Sequence, residues 1–226
     1  MSPRSARRRP CAVIFDMDGL LLDSEPLAAR AWADAAFELG VEFDMTVARA
    51  MVGRNFTDCS AMVRARYGGS YPVDALVGRW HAVYDAIVER EGVAIKPGVF
   101  ELIDWLERNA IPRAVATSTR RDRAHAKLSQ AALLTRFREI VGGDEVPRGK
   151  PAPDIFVEAA RRIDARAAEC IVLEDSEPGV RAALAAGMIP IMVPDQHAPS
   201  AELLAQELLV LPSLHEVLGH LAALPA

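Results

Sequence analysis

Residues 11–15, Cys-Ala-Val-Ile-Phe, form a short apolar run that stops abruptly at Asp16-Met17-Asp18-Gly19. Such a run, followed at once by two acids and a glycine, reads as a buried strand whose carboxyl end opens into a polar loop. No other feature constrains the fold as much, because a strand that is apolar along its whole length needs cover on both faces of its sheet. Similar runs recur at 111–116, 140–141, 170–173 and 189–193, and helical patterns lie between them at Val99–Arg108, 154–163 and 179–186. Strands alternating with helices imply an α/β fold built on a parallel sheet.

The stretch 24–95 differs. It carries long amphipathic patterns at 27–39, 60–67 and 76–89 and no strand run, so it reads as a helical cap inserted into the α/β core. Pro97 and Gly98 punctuate the return. The expected organisation is a disordered basic tail at 1–10 holding Arg4, Arg7, Arg8 and Arg9, an α/β core at 11–23 and 96–226, and the cap at 24–95. Past a loop at 194–199 the pattern predicts a further helix, a short apolar run at 208–211 and a last helix from Leu214.

A chain of 226 residues accommodates one or two domains. With 51% hydrophobic and 25% charged residues and no apolar segment of spanning length, the expectation is a soluble protein with no membrane partner. A net charge of −5 argues against nucleic acid, whose phosphates demand a basic face, and leaves a small molecule as the expected partner. Cys11, Cys59 and Cys170 are odd in number and scattered, which favours a reducing cytoplasm. His81, His125, His197, His215 and His220 show no ligand spacing. Only three lysines occur, Lys96, Lys127 and Lys150, so chemistry that needs a lysine has few candidates.

Open parallel sheets bind ligands beyond the carboxyl ends of their strands. Four polar stations stand there: Asp16-Met17-Asp18-Gly19, Thr117-Ser118-Thr119, Lys150-Pro151 and Glu174-Asp175. Taken singly each has a plain reading. Asp-x-Asp-Gly is a common turn composition, Lys150 a solvated lysine, Glu174-Asp175 a helix start, and the Thr-Ser-Thr run a set of capping residues. Together, in this order and spacing, they resemble the four motifs of the haloacid dehalogenase superfamily over nearly the whole chain. The sequences Phe15-Asp16-Met17-Asp18-Gly19, Leu22-Asp23-Ser24-Glu25, Gly149-Lys150-Pro151-Ala152-Pro153-Asp154 and Leu173-Glu174-Asp175-Ser176 are similar to its β-phosphoglucomutase-like phosphatase branch.

The resemblance implies a Rossmann-like core, a helical cap and an Mg²⁺-dependent phosphatase. It makes Asp16 the nucleophile and a metal ligand. Asp18 gives its backbone carbonyl to the metal and its side chain as general acid and base, and Glu174 and Asp175 complete the metal site. Thr117 would bind the transferring phosphoryl oxygens, with Ser118 a one-residue alternative in that role, and Lys150 would offset charge. Arg54 and Arg120, on loops expected to face the site, are candidate substrate contacts with Ser118. The physical logic is separate from the resemblance. A carboxylate attacking a phosphoryl dianion brings like charges together, at a cost on the order of 4 kcal/mol per pair at 4 Å in an effective dielectric of 20. A hard divalent cation held by oxygens offsets that cost and fixes in-line geometry.

Neighbouring activities in the superfamily differ in their caps. A phosphonatase needs a cap lysine, and residues 24–95 contain none. A β-phosphoglucomutase has a histidine shortly after the first motif, where this chain has Ala28, and it uses a cap lysine as well. Both departures favour a phosphatase over the mutase, with a non-catalytic regulator as a third reading. The expected substrate is a small phosphorylated metabolite, a sugar or polyol phosphate, bound by a monomer or weak dimer whose cap hinges near Asp23-Ser24 and Ile95-Pro97.

Overall fold

The computed structural model describes residues 8–51, 56–206 and 208–225. Strand β1 (Ala12–Phe15) leads into four helices, α1 (Glu25–Leu39), α2 (Met45–Met51), α3 (Phe56–Tyr67) and α4 (Val73–Glu91), before α5 (Val99–Arg108) and β2 (Arg113–Ala116). Next come α6 (Arg121–Gln130), β3 (Glu139–Val141), α7 (Asp154–Arg162), β4 (Cys170–Glu174) and α8 (Glu177–Ala185). Last are β5 (Ile189–Met192), α9 (Ala201–Leu204), β6 (Leu209–Val210) and α10 (Leu214–Ala223). The six strands form one sheet in the order β3-β2-β1-β4-β5-β6, every pair parallel.

Side chains alternate across a strand, so the all-apolar β1 feeds two cores. Val13 and Phe15 pack with Leu102, Ile103 and Leu106 of α5 and with Val217 and Leu221 of α10. Ala12 and Ile14 turn the other way, onto Ile155 and Phe156 of α7 and Ala182 and Ala183 of α8. The chain runs outward from β1 to β2 and β3, then crosses back to β4 on the far side of β1. The strand order therefore reverses at β1, and the crevice beyond its carboxyl end is where such sheets bind ligands.

Helices α1 to α4 bury a separate apolar cluster that includes Trp32, Ala35, Met51, Val63, Leu76 and Val77. A smaller one joins Ala31 of α1 to Tyr84, Ile87 and Val88 of α4. Helix α1 opens with Pro26 in its first turn, where the missing N–H costs no bond, and closes on Gly40 at φ 63°, a left-handed stop suited to glycine. Two crossings tie this helical segment to the sheet. There the Asp23 N–H donates to the Ala94 carbonyl at 2.8 Å and the Lys96 N–H to the Leu21 carbonyl at 3.0 Å, and Leu22 and Ile95 form an antiparallel bridge.

One helix escapes the sequence patterns. Helix α2 is absent from the amphipathic patterns because it is only seven residues long, too short for its periodicity to stand out. Residues 1–7 of the expected tail lie outside the described residues, and Arg9 contacts the body of the protein. The Arg9 N–H donates to the Pro225 carbonyl at 2.9 Å, its guanidinium donates to Asn109 Oδ1 at 2.8 Å and it lies over the Trp105 ring. Among the described residues no helix is long and apolar enough to cross a membrane.

Candidate active site

The four polar stations converge at the carboxyl ends of β1, β2 and β4. Asp16 follows β1 directly and is buried, its N–H donating to the Leu173 carbonyl at 3.0 Å as the last rung toward β4. The chain then folds sharply, with the N–H groups of Leu21 and Leu22 donating to the Met17 carbonyl at 2.9 and 3.0 Å. Gly19 sits in this turn at φ 85°, a conformation L side chains avoid, and a Cβ there would collide with the Asp175 carboxylate. The glycine is what lets the turn press against Asp175.

Lys150 reaches in from the loop before α7 and is 95% shielded. Its ammonium donates to Asp16 Oδ1, to Glu174 Oε1 at 2.5 Å and to the Ala116 carbonyl at 3.2 Å. All three N–H groups of an ammonium are thereby used. Burial works to lower the Lys150 pKa, but the charges of Asp16 and Glu174 outweigh it and hold the amine protonated. Asp16 shifts upward nonetheless, because burial and the neighbouring Glu174 and Asp18 outweigh the pull of Lys150.

Glu174 is fully buried. While Oε1 is taken by Lys150, Oε2 accepts from the Ser176 N–H at 3.0 Å and the Ser176 hydroxyl at 2.8 Å. Gly179 lies close beneath, where a Cβ would overlap the carboxylate. Glu174 therefore braces Lys150 from behind, with both of its carboxylate oxygens engaged. Asp175 is also buried, yet no donor among the described residues hydrogen-bonds its carboxylate, and burial with the charges of Glu174 and Asp16 raises its pKa well above the usual range.

Asp18 is held apart from this group. Its Oδ1 accepts from the Lys127 ammonium at 2.8 Å and its Oδ2 from the Thr119 hydroxyl at 2.7 Å. Burial works to raise its pKa, but Lys127, Thr119 and Ser24 together bring it below the ordinary value. Thr117 is buried at the carboxyl end of β2, with its N–H donating to the Val141 carbonyl at 3.0 Å. Its hydroxyl oxygen accepts from the Thr119 N–H at 3.1 Å, leaving the hydroxyl proton for a ligand. Ser118 is exposed. Arg120 is exposed as well and pairs outward with Asp122 at 3.5 Å and Asp144 at 3.8 Å, away from the buried acids. Arg54 lies outside the described residues.

Four residues that motif reasoning passed over belong to the site. Lys127 is 6% exposed and projects from α6 on the same side as the buried Ala124 and Leu128. Its signal was its rarity, one of three lysines, standing in an apolar stripe. Glu25 is lifted to about 7 by burial and then by Asp18, Asp195 and Asp23. Asp195, past β5, accepts from Lys96 at 2.7 Å, and Lys96 also lies 3.5 Å from Asp23, so this lysine pins the crossing between helical segment and sheet.

The donor set suits a hard divalent cation on charge and on chemistry. Four carboxylates, Asp16, Asp18, Glu174 and Asp175, face two ammonium groups, Lys127 and Lys150, leaving two negative charges in excess in a largely buried space. Among the described residues no three His, Cys, Asp or Glu side chains gather as a ready cluster. The oxygens left for a cation are the carboxylates of Asp16 and Asp175 and the Asp18 carbonyl, which accepts no hydrogen bond among the described residues. All are the hard oxygen donors that Mg²⁺ prefers.

The sequence profile of haloacid dehalogenase-like hydrolases matches residues 12–187. The chain is 32% identical over 204 residues to the validoxylamine A 7'-phosphate phosphatase of Streptomyces hygroscopicus subsp. limoneus, covering 90% of this chain and 94% of that protein. It is 32% identical over 181 residues to the fructose-1-phosphate phosphatase of Escherichia coli (strain K12), covering 80% and 94%. Other curated relatives are longer, and the chain spans 50% of one and 18% of another. Among solved structures it is similar to CbbY from Rhodobacter sphaeroides in complex with phosphate, with a TM-score of 0.78, 28% identity, and 94% and 99% of the two chains covered.

Proposed function

Because the chain belongs to the haloacid dehalogenase-like hydrolases, we propose that it is an Mg²⁺-dependent phosphatase. Its substrate is a small phosphorylated metabolite, a sugar or polyol phosphate, hydrolysed through an aspartyl phosphate on Asp16. The observation that carries this reading is the division of labour between two carboxylates two residues apart. Asp16 is presented at the strand end against Lys150, while Asp18 is held separately by Lys127 and Thr119.

In this reading an Asp16 carboxylate oxygen attacks the substrate phosphorus in line with the leaving oxygen, and Asp18, a carboxylate in the free site, takes the proton of the phosphate monoester monoanion and passes it to that oxygen as the P–O bond breaks. Asp18, now a carboxylate, then takes a proton from water, and the water oxygen displaces Asp16 from phosphorus to release inorganic phosphate. Thr117 donates its remaining hydroxyl proton to a phosphoryl oxygen, and Lys150 keeps Asp16 aimed while lowering the local negative charge. Asp16, Asp175 and the Asp18 carbonyl would hold Mg²⁺, which would supply charge neutralisation and orientation. Glu174 acts through Lys150.

Residues 24–95 act as a cap that closes over the sheet end and excludes bulk water. The backbone crossing of 22–23 with 94–96 supports a hinge there. A sugar or polyol phosphate is favoured by the substrates named for the Streptomyces and Escherichia relatives. Water is the favoured acceptor because Ala28 carries no polar group and no lysine occurs between 24 and 95.

The test is phosphate release from a panel of phosphosugars and polyol phosphates, with Mg²⁺ and then with EDTA, comparing the native chain with Asp16→Asn. Release that needs Mg²⁺ and is abolished in the variant supports the proposal. Conversion of β-glucose 1-phosphate to glucose 6-phosphate without release would replace it by the mutase, and silence in both assays would leave a binding module.

A further inference from the structure

The loop after β3, residues 142–145, lies backbone to backbone against the loop after β2, residues 118–121. The Gly143 N–H donates to the Thr119 carbonyl at 2.9 Å, and Asp144 Oδ1 accepts from the Arg121 N–H at 2.8 Å. Neither glycine of this loop has room for a side chain. A Cβ on Gly142 would overlap the Arg121 backbone, and one on Gly143 the Ser118 carbonyl. Glycine stands at both positions because the two backbones approach more closely than a Cβ permits.

The loop is itself braced. Glu145 Oε2 accepts from the Gly142 N–H at 2.8 Å, and Oε1 accepts from the guanidinium groups of Arg121 at 2.7 Å and Arg162 at 3.0 Å. Arg162 belongs to α7, so a helix anchors the loop as well as its own strand. Asp144 also serves the start of α6. Among the described residues the side chain of Arg120, just before that helix, makes no capping bond, and Asp144 supplies an acceptor to the first turn from 23 residues away.

These contacts lead to Thr117. Thr119 is held on both sides of its Cα, because its carbonyl accepts from Gly143 while its N–H donates to the Thr117 hydroxyl oxygen at 3.1 Å. A hydroxyl oxygen that accepts in one direction has fewer directions left for its own O–H. The end of β3 thus holds the Thr117 backbone through the Val141 carbonyl, and the loop after β3 holds the residue that turns the Thr117 hydroxyl.

We propose that Asp144 is a positioning residue which, with Gly143, fixes residues 118–121 so that the Thr117 hydroxyl is aimed at the transferring phosphoryl group. Asp144 acts through Thr119 and Thr117 rather than on the substrate itself. A donor aimed where charge develops stabilises the transition state more than the bound substrate, so slack in this loop costs rate before it costs binding. This inference rests on the assignment of Thr117 to the phosphoryl oxygens.

The experiment is a double-substitution cycle on Asp144→Ala and Thr117→Ala, with Asp144→Asn as the conservative variant. Release of p-nitrophenolate from p-nitrophenyl phosphate is followed in the first turnover, with Mg²⁺ and enzyme in excess. Loss of one donor to a developing charge costs roughly 10²–10³-fold, so Thr117→Ala should slow release by about 100-fold. Asp144→Ala should slow it by about 10-fold in the native background and by no more than about 2-fold when Thr117 is already alanine, because the two act as one unit. Asp144→Asn keeps the Oδ1 acceptor and should stay within about 2-fold of the native rate.

If Thr117→Ala leaves the rate unchanged, the assignment of Thr117 itself fails. If Thr117→Ala is slow while Asp144→Ala costs the same factor in both backgrounds, Asp144 serves the fold only and the proposal is overturned. It is overturned as well if Asp144→Asn is as slow as Asp144→Ala. Should Asp144→Ala not fold, Gly143→Ala in the same cycle decides, because it displaces the loop at Ser118 and leaves the acid in place.

Discussion

Replacing Glu25 by glutamine is expected to stabilise the protein at alkaline pH and to have almost no effect in mild acid. Glu25 begins α1, and its carboxyl is pushed from 4.5 to about 7 by burial, then by Asp18, Asp195 and Asp23. A folded-state pKa above the unfolded one means that the folded chain binds the proton more tightly. The stability this contributes is complete below pH 4.5 and is lost as the pH rises through 7. With those two values the linkage relation gives a loss of about 2.5 kcal/mol between pH 5 and pH 8, an upper figure because the side chain keeps some contact with water. Glutamine has no charge to lose. The assay is urea unfolding of native protein and Glu25→Gln in EDTA at pH 5, 6, 7 and 8, read as the difference between the two proteins at each pH. That difference should widen by about 2 kcal/mol in favour of the variant from pH 5 to pH 8, or roughly 4–8 °C in Tm for a chain of this size. Parallel curves with a constant gap would refute the claim that burial and the neighbouring acids raise Glu25.

Two further substitutions probe the buried bracing of the site. Lys150→Met leaves Asp16 and Glu174 buried without their shared ammonium, so phosphate release should disappear. Stability at pH 8 should drop by about 3–5 kcal/mol, with part of the loss recovered toward pH 5 as a carboxyl protonates, which denaturant titration at the two pH values will read. Gly179→Ala places a methyl group into the Glu174 carboxylate. The displaced Glu174 should cost about 1–3 kcal/mol and lower kcat with little change in KM; an unchanged kcat would show that Glu174 does not support Lys150.

The apolar runs ending in polar stations were legible because a parallel strand covered on both faces has no polar position until its carboxyl end, so Asp16, Thr117 and Glu174-Asp175 had to mark strand ends. The insertion of helices between β1 and α5 was legible for a related reason, since the repeat of apolar residues changes from two to 3.6. Local patterns of this kind depend on near neighbours in the chain. The direction in which each polar side chain turns does not. Glu174 and Asp175 are adjacent, yet Glu174 faces back into Lys150 and Ser176 while Asp175 faces the turn at Gly19. Arg120 and Arg121 follow the second station in sequence, yet both pair with surface acids. Lys127 reads as one more helix residue until the fold packs α6 against the sheet and pairs it with an aspartate 109 residues away. The sequence by itself determined the strands, their order of appearance and the acids at their ends, because burial of apolar surface is written locally. Tertiary structure alone decided which charges share a buried space, because a buried ion chooses its partner by distance and desolvation, and neither exists until the chain has folded.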